Sequence, residues 1–416
     1  MAANTDIKFY VHTNNNAPQL QNSFGCMIDV LDACLVNGFS SQTVSTLTAS
    51  GTTVTATFGS AHNFMQYQVI KITGAAQAEF NGEHRILTIP DSSSLTFELA
   101  TAPSVPTATG IISASLPPLG WEKPFSSSNP NGGGKAAYRS LNLLLPSRPF
   151  LRVVDELDPA YTATYAKYAK VGIVEDMTDI DTMLGVQAPF DPANPDKNWV
   201  GTGSGTAAIN GWAKWYYASS AINAGDSIAP AAGNRQWLLV GNKDYLYIMP
   251  SHALSRTHAL LYGFGIFERV LETDVSNTFL VSTYRYVAAG STAYRASYTG
   301  GVSNGPNANI LLQRNYLQES KPAVANCESL SMKGQAIVSS GVTNYLTVTT
   351  DDVLFSPVFI NENIFRGKLP LINWLYRVEP IPHKTLFVKN SEIFMGYLTE
   401  VESSNFGELV VKVGDL

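Results

Sequence analysis

The chain has 416 residues, 45% of them hydrophobic, with a formal net charge of −6. That is enough apolar material for a large core, and it excludes a strongly basic nucleic-acid-binding surface, so no direct nucleic-acid partner is expected. Charged residues make up only 14%, against about 25% in ordinary soluble proteins. The polar surface must come from Ser, Thr, Asn, Gln and Gly, which favour strands and turns over helices. A surface poor in Lys and Glu also enters permanent contacts easily, because interface cores are depleted in charge. No apolar run reaches ~18 residues, so no membrane insertion is expected. The opening MAANTDIKFYVHTNNNAPQL has neither a basic nor an apolar signal region, which points to synthesis and folding in a cytoplasm.

The pattern predicts a mainly β, multi-domain chain in which a small β module follows an N-terminal helix and precedes larger antiparallel β domains. Residues 1–40 read as an arm and a short helix. Met27, Val30, Leu31, Cys34 and Leu35 fall at helical spacing within CMIDVLDACLVNGF, with Ser23 as the expected N-cap and Gly38 as the expected stop. Asp29 and Asp32 lie on its polar face, where a solvated surface is the plainer reading than acid–base work.

Residues 41–115 read as a β-barrel or sandwich. TVSTLTASGTTVTATF is a hairpin, with Val44, Thr46 and Thr48 alternating on one arm and Val54, Ala56 and Phe58 on the other. Its turn is at Ser50-Gly51. QVIKIT, then Arg85 to Ile89, then Leu95 to Leu99, then ATGIISAS supply the remaining strands. Residues 116–140 are rich in Pro, Gly, Ser and Asn and read as a linker or loop. GGGK within them lacks the spacing of a phosphate loop, with Ala136 where its hydroxyl residue should stand.

Residues 141–300 read as a central β-rich domain. RQWLLVGNKDYLYIMP is its clearest hairpin, with Trp237, Leu239, Tyr245 and Tyr247 flanking the turn. The stretch from Asn194 to Ala221 gathers Trp199, Trp212, Trp215, Tyr216 and Tyr217 among glycines. Such a set serves as interface anchors, as a stacking surface for a ligand such as a sugar, or as domain core. Glu175, Asp176, Asp179 and Asp181 crowd one segment, but the spacing is not that of an EF-hand, and a surface turn is the better reading. Residues 301–416 read as a C-terminal β domain, with alternation at Leu346 and Val348 and a terminal hairpin in which Leu409, Val411 and Val413 alternate.

No chemistry of turnover stands out. Cys26, Cys34 and Cys327 form no regular framework and read as buried thiols. His252 and His258 are the closest histidine pair, at a spacing that suits no metal site. No nucleophile elbow or zinc-protease signature occurs. Neither an enzyme nor a cofactor or metal site is expected, although two carboxylates brought together by folding would suffice for a glycan hydrolase.

Several stretches carry a resemblance: APQLQNSFGCMIDVLDACLVNGF, GKAAYRSLNLLLPSRPFLRVVDE, RQWLLVGNKDYLYIM with LLYGFGIFERV, and FRGKLPLINWLYRVEPIPHKTLF. On these the chain resembles structural proteins of tailed bacteriophages. The resemblance implies a virion protein of the tail, neck or baseplate, made in a bacterial host, whose partners are other copies of itself and other virion proteins. A capsid decoration or head-fibre protein, and an adhesin that binds a host-surface glycan, stand as alternatives.

Overall fold

The computed structural model describes residues 3–204, 211–220, 227–254, 259–284, 302, 309–328, 355–375, 381–402 and 405–416. The expected alternation at Leu346 and Val348 lies outside these residues. The chain is mainly β, with three antiparallel sheets of thirteen, seven and seven strands among the described residues. Among the described residues, a single short α-helix, Cys26–Leu31, accompanies them.

That helix buries Met27, Val30 and Leu31, and continues as a wider π-helical turn, Asp32–Asn37. It stops at Gly38, as the sequence predicts. Gly38 has φ +70°, and a Cβ there would sit 2.7 Å from the Leu116 carbonyl oxygen. The expected Ser23 cap does not form. Gly25 takes the cap position in the left-handed region, and the Ser23 hydroxyl lies 3.1 Å from Cys26 Sγ instead. The capping acceptor comes from far along the chain: Asp155 Oδ2 accepts the Met27 N–H at 2.9 Å.

The module's sheet runs Gly82–Arg85, Val69–Ala75, Gly110–Leu116, Phe39–Ser50, Thr53–Phe58, Ser94–Glu98, Thr88–Asp91. Its first hairpin turns between Ser50 and Thr53. A β-bulge between Val44 and Thr46 shifts the parity of the first arm, so Val44 and Leu47 point inward, not Thr46 and Thr48. The expected strand from Arg85 to Ile89 is two strands broken at Ile86-Leu87. His84 stacks on Phe97 with ring centroids 4.3 Å apart, joining the two ends of the rolled sheet.

The module packs inward. Arg85, 2% exposed, donates to the carbonyls of Tyr67 (2.7 Å), Asn4 (2.8 Å) and Ile7 (2.9 Å). Burial pulls its pKa down to about 10. One guanidinium thus bolts the module to the N-terminal arm through the Asn4 and Ile7 carbonyls.

The middle sheet runs Thr283–Tyr284, Ala213–Ala218, Lys167–Asp179, Phe150–Glu156, Gly133–Ser140, Trp121–Ser128, with Thr182–Ala188 paired to Lys167–Asp179. The loop expected over 116–140 is therefore mostly a hairpin. Its turn is closed by Asn129 N–H to the Gly133 carbonyl (2.9 Å) and by Asn131 N–H to Asn129 Oδ1 (2.9 Å). The glycines that suggest a loop serve close packing. A Cβ on Gly133 would lie 1.9 Å from the Asp155 carbonyl oxygen, and one on Gly134 would lie 2.0 Å from that of Ser127.

The long sheet begins with Lys8–Val11, Trp237–Gly241, Tyr245–Pro250, Tyr262–Ile266, Thr278–Val281 and Asn309–Leu312. It continues through Ala323–Glu328, Phe355–Asn361, Phe365–Leu375, Asn405–Asp415, Glu392–Glu402 and Leu386–Lys389, with Glu268–Arg269 paired to Phe365–Leu375 off this path. It therefore draws strands from both regions that the sequence divides at 300. One face, with Leu239, Ile248, Tyr262 and Leu280, packs with the helix, the module and the middle sheet. The other face, with Leu238, Val240, Tyr247 and Phe279, closes on Trp374, Met395, Tyr397 and Val411 of the same sheet. The sheet curls to achieve this: Tyr397 Oη donates to the Met249 carbonyl (3.2 Å) and Ala259 N–H to that of Leu398 (3.1 Å).

Candidate functional site

The five aromatics expected as interface or stacking residues lie inside the subunit. Trp199, Trp212, Trp215, Tyr216 and Tyr217 are 6, 3, 0, 2 and 0% exposed, so none offers a ring face to a partner or a sugar. Nor do they form one cluster. Trp215, Tyr216 and Tyr217 belong to the main core, whereas Trp199 belongs to a smaller core with Phe150, Val154 and Val174 on the other face of the middle sheet. Trp215 Nε1 donates to the Val281 carbonyl (2.9 Å) and its ring stacks on Tyr262. Tyr216 meets Tyr168 edge-on. Arg152 lies over the Trp199 ring at 4.4 Å. The strand Ala213–Ala218 is buried on both faces, and that is why its aromatics run consecutively instead of alternating.

The acidic stretch from Glu175 is a strand end and turn, as the plainer reading has it. Asp179 Oδ1 accepts the N–H groups of Asp181 (2.8 Å) and Thr182 (3.0 Å), closing its own turn. Asp181 pairs with Lys135 and Arg152, both at 2.7 Å. Glu175 pairs with Arg314. The carboxylates are dispersed among separate partners. Among the described residues no group of three or more His, Cys, Asp or Glu is placed to hold a metal ion, and all three cysteines are buried.

Among the described residues, the buried ion pairs Lys170–Asp158 and Arg366–Asp274 hold loops. Lys170 and Asp158, 4 and 3% exposed, meet at 2.7 Å, and Asp158 Oδ2 also accepts the Gly201 N–H (2.8 Å). Arg366 and Asp274, both fully buried, form a two-point pair at 2.6 and 2.7 Å. Gln318 Nε2 donates to Asp274 as well (2.7 Å).

The feature that sequence reading missed is a groove of about 590 Å³ between the start of the helix and the 121–140 hairpin. Phe24, Ile28 and Asp29 form one wall, and Lys123, Ser126, Ser127, Ser128, Gly134 and Lys135 form the floor and the other wall. Asp32, the second helix carboxylate, is occupied by the Lys123 ammonium (2.5 Å) and the Tyr138 hydroxyl (2.7 Å). Asp29 faces the groove. Burial and then the neighbouring Asp32 raise its pKa, and Lys123 opposes them. The signal was present as a Ser-Ser-Ser run and a Gly-Gly-Gly run a few residues apart, but only the hairpin brings them side by side.

No family model matches the chain, and no curated protein matches it. Among solved structures it is similar to the phage phi92 endosialidase, at 8% identity and a TM-score of 0.15. That match covers 90% of this chain and 52% of the other, so the chain spans about half the length of that protein. A score this low carries no argument about fold or role.

Proposed function

We propose that the chain is a structural component of a tailed-phage virion, in the tail, neck or baseplate, and that it acts through subunit contacts with copies of itself and other virion proteins, without turnover. The observation that carries this reading is a loop. Leu141, Leu143 and Leu144 are 52, 78 and 90% exposed. The loop is held in place: Asn142 Nδ2 donates to Asp244 Oδ1 (2.7 Å), Asn142 N–H to Ser140 Oγ (2.9 Å), and Arg148 Nε to the Ser140 carbonyl (2.8 Å). Scattered exposed leucines need no explanation, but three within four residues on an ordered loop form an apolar patch ready for a contact. Each leucine fully buried there would contribute about 1.5–3 kcal/mol. The contact anchors are thus these leucines, and the Trp and Tyr set is core.

The low charge, the mainly β architecture and the sequence resemblance support the same reading. The test is quantitative mass spectrometry of purified particles, normalised to the major capsid protein. A small number matching a closed ring supports a tail, neck or baseplate part. A number near the capsomer count moves the protein to capsid decoration, and absence from the particle sinks the proposal.

A further inference from the structure

We infer that the groove between the helix start and the 121–140 hairpin binds a neutral saccharide. Its charges decide the ligand class. Both lysines of the groove are already engaged, Lys123 by Asp32 at 2.5 Å and Lys135 by Asp181 at 2.7 and 2.9 Å. Among the described residues each groove lysine is thus already offset by a carboxylate, so a phosphate or carboxylate ligand would meet no unpaired positive charge there. A cationic ligand would meet Asp29 alone, since Asp32 and Asp181 are already paired with the lysines. A neutral polyol meets neither penalty.

The remaining lining suits that chemistry. Ser126 and Ser128, opposite Ala136 and Gly134, are exposed on the strand face toward the helix, while Ser127 shares the other face with Lys135; the hydroxyls of Ser126 and Ser128 have no hydrogen-bond partner among the described residues. Each can donate and accept, as a sugar hydroxyl does. Asp29 supplies two acceptor oxygens, and charge-assisted bonds to a carboxylate are the stronger kind. Phe24 and Ile28 give an apolar wall for the C–H face of a pyranose. A volume of about 590 Å³ lies within the range of specific small-molecule sites, about 300–1,000 Å³. An open groove with few anchors gives weak binding, with Kd on the order of 1 mM, and several copies in one assembly would multiply it by avidity. The inference does not rest on the virion reading, since an isolated subunit presents the same groove.

The experiment is an array of neutral and uronate-containing oligosaccharides probed with the full chain, followed by calorimetric titration of the best neutral hit. Saturable binding of a neutral sugar is expected, with Asp29→Asn and Ser128→Trp each weakening it about tenfold or more; both positions face solvent, so melting temperatures should match the parent. The inference is overturned if no neutral sugar binds saturably, if uronates bind as tightly, or if both variants bind like the parent. Particle composition tests the virion proposal separately, so the two can fail independently.

Discussion

Tyr217 donates its hydroxyl hydrogen to Asp155 Oδ1 at 2.6 Å, while Asp155 Oδ2 accepts the Met27 N–H at 2.9 Å. A residue of one middle-sheet strand thereby fixes a carboxylate of another at the N-terminus of the helix. An anion at that end satisfies backbone donors that have no partner within the helix. Asp155 is fully buried, and burial pushes its pKa from 3.8 up to about 6, with the bonds from Tyr217 and the helix backbone pulling the other way.

Stability should therefore depend on pH through Asp155. Between about pH 4 and 6 the folded chain holds a proton on this group that the unfolded chain has released, so folding loses stability as pH rises through that window and levels off above it. A pKa difference of this size is worth about 3 kcal/mol. Asp155→Asn keeps an acceptor for Met27 and cannot titrate. Urea midpoints at pH 4 to 8 should show the parent losing stability relative to the variant as pH rises, and a pH-independent difference would contradict the assignment.

Gly132 and Gly133 should respond differently to alanine. Both have positive φ, at +100° and +75°, but a Cβ on Gly132 meets nothing within 4 Å, whereas one on Gly133 overlaps the Asp155 carbonyl. Gly132→Ala should cost about 1–2 kcal/mol of backbone strain. Gly133→Ala must in addition push the hairpin away from the strand Phe150–Glu156, and should exceed about 3 kcal/mol. Thermal or urea unfolding of the two variants measures the gap, and equal losses would mean that the close approach does not matter.

The Arg366–Asp274 pair should tolerate neither partner alone. Arg366→Met leaves the Asp274 carboxylate buried with Gln318 as its remaining side-chain donor, which should cost about 3–5 kcal/mol. Arg366→Lys keeps the charge but loses the two-point geometry, so it should fall between the parent and Arg366→Met in urea midpoint. A lysine variant as stable as the parent would show that charge alone suffices.

What the sequence revealed and what it hid follow from the range of the interactions. The terminal hairpin, Glu392–Glu402 with Asn405–Asp415, was legible because Leu409, Val411 and Val413 alternate, and alternation is a local signal. Gly38 was legible as a stop for the same reason. The helix cap was not, because its acceptor, Asp155, lies 128 positions from Met27. The 121–140 hairpin was hidden because glycines that flatten a strand against a helix look, in composition, like those of a loop. The bulge between Val44 and Thr46 inverted one arm without changing its residues. Aromatic residues at 199 and 212–217 were visible, but whether they face inward depends on what covers the sheet, and the covering strands are distant in sequence. The serine groove was hidden for the same reason as the cap.

The leucine loop carries the assembly proposal into a variant test. Leu143 and Leu144 are the most exposed of the three and contribute little to the subunit's own core, so Leu143→Asp with Leu144→Asp should leave the melting temperature within a degree or two of the parent, in line with the small effect of surface substitutions. If the loop is a contact, the same variant must place two carboxylates in a desolvated patch, which disfavours association strongly. Particles grown with the variant as the sole copy should then lack the protein or fail to assemble, while the isolated subunit stays folded. Normal incorporation of the double variant, measured by the same mass spectrometry, would remove the loop from the interface and require contacts built on other surfaces, such as the edge of the strand Trp121–Ser128 that is unpaired among the described residues.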